Sequence, residues 1–302
     1  VSLQFIADGL ITGATIGLGA VGVTLTYAIL RFANFAHGEF ISVGCYLTLL
    51  LAAAIGAWAA SSIAAVGALS VGWNVMAAAL LAMLLNGALA LALDAVLFRP
   101  LRVRGAAITA VIASFGASMA LRAVLEVLDA APQATLSQDL QIAVPVGAGV
   151  RVTPDQIALM VVAAVAAVAV HLVLTRTPLG RSMRAVSENP TLARVVGVDV
   201  AGVIRMTWFI GGALACAAGV MLGLVVQIRP SMGAELLLPL FAAAILGGIG
   251  SVPGALLGGL VVGLAEAVCV QLIGAQWRAA VAFLVLIAVL LIRPGGLFGR
   301  AA

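Results

Sequence analysis

Between Asp155 and Arg176 the chain runs through residues 156–175 without one formal charge. A bilayer core about 30 Å thick is crossed by roughly 20 apolar residues in an α-helix. In lipid every backbone N–H and C=O must find its partner inside the element, so a run of this kind permits a helix and little else. The pattern recurs. Candidate spans lie near 9–31, 38–58, 75–97, 106–128, 155–175, 206–228, 234–250, 254–273 and 279–293. The seventh and ninth are short and can be tilted, broken or partly re-entrant, so the expected count is about nine, within a range of eight to ten. The expected fold is an all-α membrane protein, a polytopic helical bundle forming one transmembrane domain over 1–302 with no soluble domain attached. The first apolar segment opens almost at residue 1, without a basic region before it or a cleavage site after it, and reads as a retained span.

Hydrophobic residues make up 64% of the chain and charged residues 9%, which is outside the range of soluble domains. All 15 basic residues are arginine. A phosphate-binding loop of the Walker type needs Gly-Lys-Ser/Thr, so this sequence carries no such ATPase motif. A lysine Schiff base is excluded on the same ground. The net charge of +4 is not gathered into a run that would suit nucleic acid. Cys45, Cys216 and Cys269 stand far apart in apolar segments and read as small buried hydrophobes. No cysteine or histidine spacing resembles a metal site.

Arginine placement sets the orientation. Arg99, Arg102 and Arg104 crowd the loop after the third span. Arg176, Arg181, Arg184, Arg194 and Arg205 follow the fifth, and Arg293 and Arg300 flank the last. An even number of spans separates these clusters, so all face the cytoplasm, and Arg31 joins them. The N-terminus is then outside and the C-terminus inside. Residues 129–154 form an external loop, in which 142–146 and 150–153 around Gly147-Ala148-Gly149 make either a small hairpin or an irregular loop. Glycine steps of four (Gly9, Gly13 and Gly17; Gly219 and Gly223; Gly254 and Gly258; Gly259 and Gly263) predict helices that approach closely in lipid.

The cytoplasmic loop 176–205 holds a small, well-specified helix. Asn189 is an N-cap, Pro190 suits the first helical position, and Gly197 closes the far end. About two turns cannot hold themselves together in water, so this helix needs something to pack against, and a partner protein on the basic side is the natural candidate.

Two places break the apolar pattern. One is Asn34-Phe35-Ala36-His37-Gly38-Glu39. The other is Gly247-Gly248-Ile249-Gly250-Ser251-Val252-Pro253-Gly254. Either they are broken helices lining a transport pathway, or they are tight cytoplasmic turns capped by Asn34 and Ser251. His37 and Glu39, two apart, do not share a helical face and do not suggest catalysis. Arg122 and Glu126, four apart, suggest an intrahelical pair near the outer surface. Asp94 is expected at the inner end of the third span, close to Arg99. Glu266 sits inside the eighth span with no local cation, and a carboxylate there demands either an internal partner or a functional role.

Several of these segments together resemble one family: the integral-membrane permeases of branched-chain amino acid ABC importers. They are Asn34–Glu39; Phe98-Arg99-Pro100-Leu101-Arg102; Gly180-Arg181 with Arg184-Ala185 and Glu188; the run Ala193–Asp199; Ala244–Ala255; Gly263-Leu264-Ala265-Glu266; and Arg293-Pro294-Gly295-Gly296-Leu297-Phe298-Gly299. They keep the family's order and cover essentially the whole chain. The early Asn-Phe-Ala-His-Gly looks more like the first of the two paired permeases than the second. The resemblance implies transport across the bacterial cytoplasmic (inner) membrane, with a second homologous permease, two cytoplasmic ABC ATPases and a periplasmic or lipid-anchored binding protein as partners. ATP and magnesium would be bound by the partner subunits, with no cofactor in this chain. The 181–197 segment corresponds to the coupling helix, with Arg181, Arg184, Glu188, Asn189, Pro190, Arg194 and Gly197 as the contact candidates. The Glu-Ala-Ala…Gly motif of importers is matched only in part, because Glu188 and Gly197 are spaced differently. A wide amino acid pathway would be lined by small and apolar residues, which leaves Asn34, His37, Glu39, Gly247, Gly248, Gly250, Ser251 and Glu266 as its polar candidates. Two other readings of the chain are a stand-alone, ion-coupled secondary carrier, which would use Glu39, His37 and Glu266 as ion sites, and a non-transporting scaffold.

Overall fold

A computed structural model describes residues 3–59, 62, 64–104, 107–128, 134–136, 141–147, 149–293 and 295–298. Parts of the expected external loop (129–133, 137–140 and Ala148) lie outside the described residues, as do Pro294, Gly299 and Arg300. The helices are α1 (Gln4–Leu30), α2 (Ala36–Trp58), α3 (Trp73–Leu93), α4 (Arg99–Arg104), α5 (Ala107–Leu128), α6 (Pro154–Arg176), α7 (Pro178–Glu188), α8 (Pro190–Val195), α9 (Val200–Val225), α10 (Met232–Gly247), α11 (Val252–Leu272) and α12 (Arg278–Ile292). Among the described residues, eight helical stretches are long and apolar enough to cross a membrane, and α10 is a shorter ninth of 16 residues. The seventh segment is thus short, as expected.

The third span differs from its expected form. It does not end in a loop before Arg99 but continues through one π-helical turn, Asp94–Phe98, into α4. The wider turn carries the Asp94 carboxylate to Arg102, not to Arg99, in a two-armed ion pair of 2.5 and 3.0 Å. It also stacks Phe98 on Trp208 of α9 at 4.8 Å between centroids. π turns of this kind are local departures from the α-ladder held in place by such contacts.

The core lies where α1 meets α9, α10 and α11, with α2 packed on α9 and α10. Lipid offers no hydrophobic drive between helices, so backbone proximity does the work. The glycine steps show it directly. A Cβ on Gly13 would fall 2.7 Å from the Leu260 Cα, and one on Gly263 would fall 2.4 Å from the Gly13 Cα. The α1–α11 seam therefore closes to backbone contact. By contrast α5, α6 and α12 leave most of their surface exposed, toward lipid or a partner.

Between α5 and α6 the hairpin reading holds: β1 (Val144–Gly147) pairs antiparallel with β2 (Val150–Val152). Thr153 and Gln156 form a reciprocal capping box at the start of α6. Asp155 accepts from the Ser70 backbone N–H at 3.0 Å and from Gln141 at 3.0 Å, tying the outer loops together.

Candidate functional site: a coupling module and a mid-membrane polar layer

On the arginine-rich side of the bundle two helices, not one, follow α6. The sequence reading missed α7. Its signals are present: Thr177 caps the Gly180 N–H at 3.2 Å, Pro178 takes the first position, and Leu179, Met183 and Val186 repeat at helical spacing. Met183 and Val186 are buried against Val200 and Val203 of α9 and Ala193 of α8. Arg31, in the left-handed region at φ 56°, donates to the Ser187 and Glu188 carbonyls at 2.8 and 3.1 Å. A cation on the open carbonyls of a helix end is favourable, and this one fastens α7 to the inner end of α1.

The helix expected from Asn189, Pro190 and Gly197 is α8. Asn189 Oδ1 accepts from the Thr191 and Leu192 N–H groups, each at 3.0 Å. Gly197 turns left-handed at φ 88°, and the Val198 N–H reaches back to the Ala193 carbonyl at 2.9 Å. Its packing differs from expectation in one respect. One side, through Ala193, is already held by its own chain, because α7 and α9 supply the apolar surface. The other side is bare: Leu192, Val195 and Val196 are 59%, 78% and 69% exposed. Arg181 and Arg194 are also exposed, and neither is in an ion pair among the described residues. Arg184 is turned back onto the Leu174 carbonyl.

The first break takes the deeper of its two readings. Asn86 Nδ2 donates to the Phe40 carbonyl at 2.9 Å and to the Gly212 carbonyl at 2.8 Å. Asn86 is near the midpoint of the stretch Trp73–Arg102, and Gly212 is near the midpoint of α9. His37 presses on Gly22 of α1, where an added Cβ would meet its Cε1 at 2.8 Å. Gly22 lies eight residues before Leu30, roughly 12 Å up the axis from the inner end of α1. So α2 begins near the middle of the membrane, and residues 31–35 climb back to reach it. This is not the tight surface turn that the sequence also allowed.

The start of α2 is held by polar side chains. Asn34 Oδ1 accepts from the Ala36 N–H at 3.1 Å, and Ser114 Oγ accepts from the Phe35 N–H at 3.1 Å. Glu39, fully buried, takes Arg122 at 2.6 Å and Ser118 at 3.1 Å, both from α5. Arg122 therefore does not pair with Glu126, which is exposed on its own helix. A buried carboxylate on the packed face of α2 outbids a solvated neighbour one turn away. Asn34 Nδ2, His37 Nε2 and Glu39 Oε2 make no hydrogen bond among the described residues. The Arg122 side chain stays about one-third exposed. On the same face of α5, Phe115 contacts Phe35, which also contacts Phe241 of α10.

The second break is a tight turn, as one reading allowed. Gly248 and Gly250 sit at φ 94° and 90°, and Ser251 Oγ caps the Gly254 N–H at 3.1 Å. Gly250 N–H donates to Thr24 Oγ1 at 2.7 Å, toward the inner end of α1. The Leu297 and Phe298 N–H groups cover the Leu246 and Gly247 carbonyls at 2.7 and 3.2 Å. Glu266 belongs to neither break. It is buried near the outer end of α11, 3.5 Å from Arg278 of α12. The cation missing from its own helix comes from the next one. The pair borders an outward cavity of about 470 Å³ that Arg229 and Glu235 also line.

Over residues 5–290 the sequence matches the family model described as "Branched-chain amino acid transport system / permease component". It is 35% identical to the high-affinity branched-chain amino acid transport system permease protein BraD of Pseudomonas aeruginosa, over 99% of this chain and 96% of that protein. It is 32% identical to the corresponding permease protein LivH of Escherichia coli K12, again over 99% and 96%. A solved structure, PsaBC from Streptococcus pneumoniae in complex with Fab, aligns with a TM-score of 0.47 and 12% identity over 98% of this chain and 94% of that one. This chain belongs to the family of permease components of branched-chain amino acid transport systems.

Proposed function

We propose that this multi-pass protein of the cytoplasmic membrane carries branched-chain or related amino acids inward as one half of an ATP-driven importer. A second, homologous permease completes the pathway. Two cytoplasmic ATPases bind ATP and magnesium, and a periplasmic or lipid-anchored protein delivers the substrate. The observation that carries this reading is the bare apolar flank of α8. Leu192, Val195 and Val196 face water on the basic side of the membrane, on a helix capped at both ends and fastened through α7 to α1 and α9. A rigid lever with an apolar tip is what an ATPase needs in order to move the spans.

The pathway is assigned to the face of α5 that carries Phe115 and Arg122, beside Phe35 and Phe241. A guanidinium at mid-depth is costly against lipid and is placed against a wet cavity or a partner. Arg122 stays about one-third exposed on that face, with Asn34, His37 and Glu39 buried behind it. The Gly247–Ser251 turn and Glu266 act as structural elements at the two ends of the pathway, not as its lining. In this mechanism closure of the ATPase dimer pushes α8. α7 passes the motion to α1 through Arg31, and the short α10 and the half-depth start of α2 let the pathway face alternately out and in.

The test is a Leu192→Glu, Val195→Glu double variant in cells carrying the whole transport system. Uptake should fall at least about tenfold and the ATPases should no longer co-purify, because two charges would be forced into an apolar contact. Retained uptake and retained ATPase would refute the assignment. Ion-driven uptake by proteoliposomes holding this chain alone would favour the secondary-carrier reading instead.

A further inference from the structure

Where α3 and α9 leave the membrane on the inner side, the π turn opens a cavity of about 790 Å³ between them. Four arginines line it: Arg99 and Arg102 from α4, Arg194 from α8 and Arg205 from α9. Against them stands one lining carboxylate, Asp94, already engaged by Arg102. Arg205 has only a long 3.6 Å contact with Asp199, and Arg99 and Arg194 are in no ion pair among the described residues. The rest of the wall is apolar, with Leu91 and Ala95 on one side and Ala201 and Ile204 on the other, over a floor of Ile29 and Leu30. Ala95 and its neighbour Val96 are exposed, so this wall continues the lipid-facing surface of α3.

We propose that this cavity binds an anionic phospholipid of the inner leaflet, with its phosphate among Arg99, Arg194 and Arg205 and its first methylenes along Ala95 and Ile204. Basic pockets between helices at the cytoplasmic interface suit such headgroups, and arginine holds phosphate through paired donors. A soluble phosphate would use the arginines but not the apolar wall. Charge and position thus favour an amphiphile with its head down and its chains in the bilayer. Pro190 and Arg194 line the cavity one turn apart on α8, whereas Leu192, Val195 and Val196 point elsewhere on that helix. A lipid here therefore touches the coupling helix on the side away from its bare apolar flank and braces it against α3 and α9.

The test uses the assembled transporter purified in mild detergent, with native mass spectrometry after adding phosphatidylglycerol, cardiolipin or phosphatidylcholine. The wild type should retain the two anionic lipids about tenfold more than phosphatidylcholine. An Arg99→Gln, Arg205→Gln double variant should lose essentially all of that preference, because roughly fivefold per arginine near a membrane surface compounds to about 25-fold. Millimolar glycerol 3-phosphate should not displace the lipid. A second variant, Ile204→Trp, fills the apolar wall without changing charge and should also reduce retention, and elution as one assembled species checks folding. Equal retention by the double variant, or displacement by glycerol 3-phosphate or inorganic phosphate, overturns the proposal. Loss of the ATPases from the double variant with lipid retention unchanged also overturns it, because the arginines would then belong to the ATPase contact.

Discussion

The two breaks in the apolar pattern look alike as strings of letters but do opposite things in the fold. The one at Gly247–Gly254 is rich in glycine, and its backbone closes on itself. Gly247 and Gly254 meet at backbone distance, Ser251 caps α11, and the segment at Leu297 and Phe298 seals the last carbonyls of α10. The one at Asn34–Glu39 is rich in side-chain polarity, and it places that polarity at mid-depth. It recruits Ser114, Ser118 and Arg122 from α5 and still leaves three polar atoms without a partner among the described residues. Glycine at a break lets helices close, and such a turn is structural. Polar side chains at a break cost free energy in lipid and are kept where water or a substrate can meet them.

The largest expected effect falls on the polar break. Glu39→Leu strands Arg122 at mid-depth, and removing one partner of a buried pair costs about 3–5 kcal/mol. Folded protein recovered in detergent and its melting temperature should both drop sharply. Glu39→Leu combined with Arg122→Leu should restore folding but not uptake. A single variant as stable as the wild type would show that the pair does not hold α2 to α5.

Next comes the glycine break. Gly254→Val would push a side chain into the Gly247 carbonyl, which stands 2.1 Å from where its Cβ would be. Overpacking of this kind costs about 1–3 kcal/mol. Thermal unfolding should show it, and the transport rate per folded molecule should fall little. A large loss of rate at normal stability would move this turn into the pathway.

The smallest effects separate the two breaks most finely. Asn34→Ala and Ser251→Ala each remove a cap worth about 1 kcal/mol. Both should lower the melting temperature slightly, but only Asn34→Ala should slow uptake. Equal effects on uptake would erase the distinction.

What the sequence made legible was local. The caps of α8, the hairpin and the glycine steps each depend on residues a few positions apart, and each appears where the letters put it. α7 was legible too, through Thr177-Pro178 and the spacing of Met183 and Val186, but a short amphipathic helix inside an arginine-rich loop is easily read as loop. The Glu39–Arg122 pair was not legible, because the two stand 83 positions apart and a nearer glutamate offered itself. Nor was the depth of α2, which is set by Asn86 and Gly212 from two other spans. The π turn was hidden for the same reason, since Trp208 of α9 stacks on it.

The central claim, that a wet pathway runs along the Phe35 side of α5, can be tested on one helix. In a background with Cys45, Cys216 and Cys269 replaced by alanine, cysteine is placed at Met119 or at Val124. Both positions are exposed in this chain, at 61% and 54%. Met119 lies one turn from Phe115 and Arg122 on the same face of α5, and Val124 lies roughly opposite. In the assembled transporter a membrane-impermeant, water-borne thiol reagent should label Met119→Cys, at a rate that changes when ATP is added, and should leave Val124→Cys unmodified. Labelling of neither position by that reagent, with both open to a lipid-soluble one, would place the whole of α5 against lipid and contradict the account.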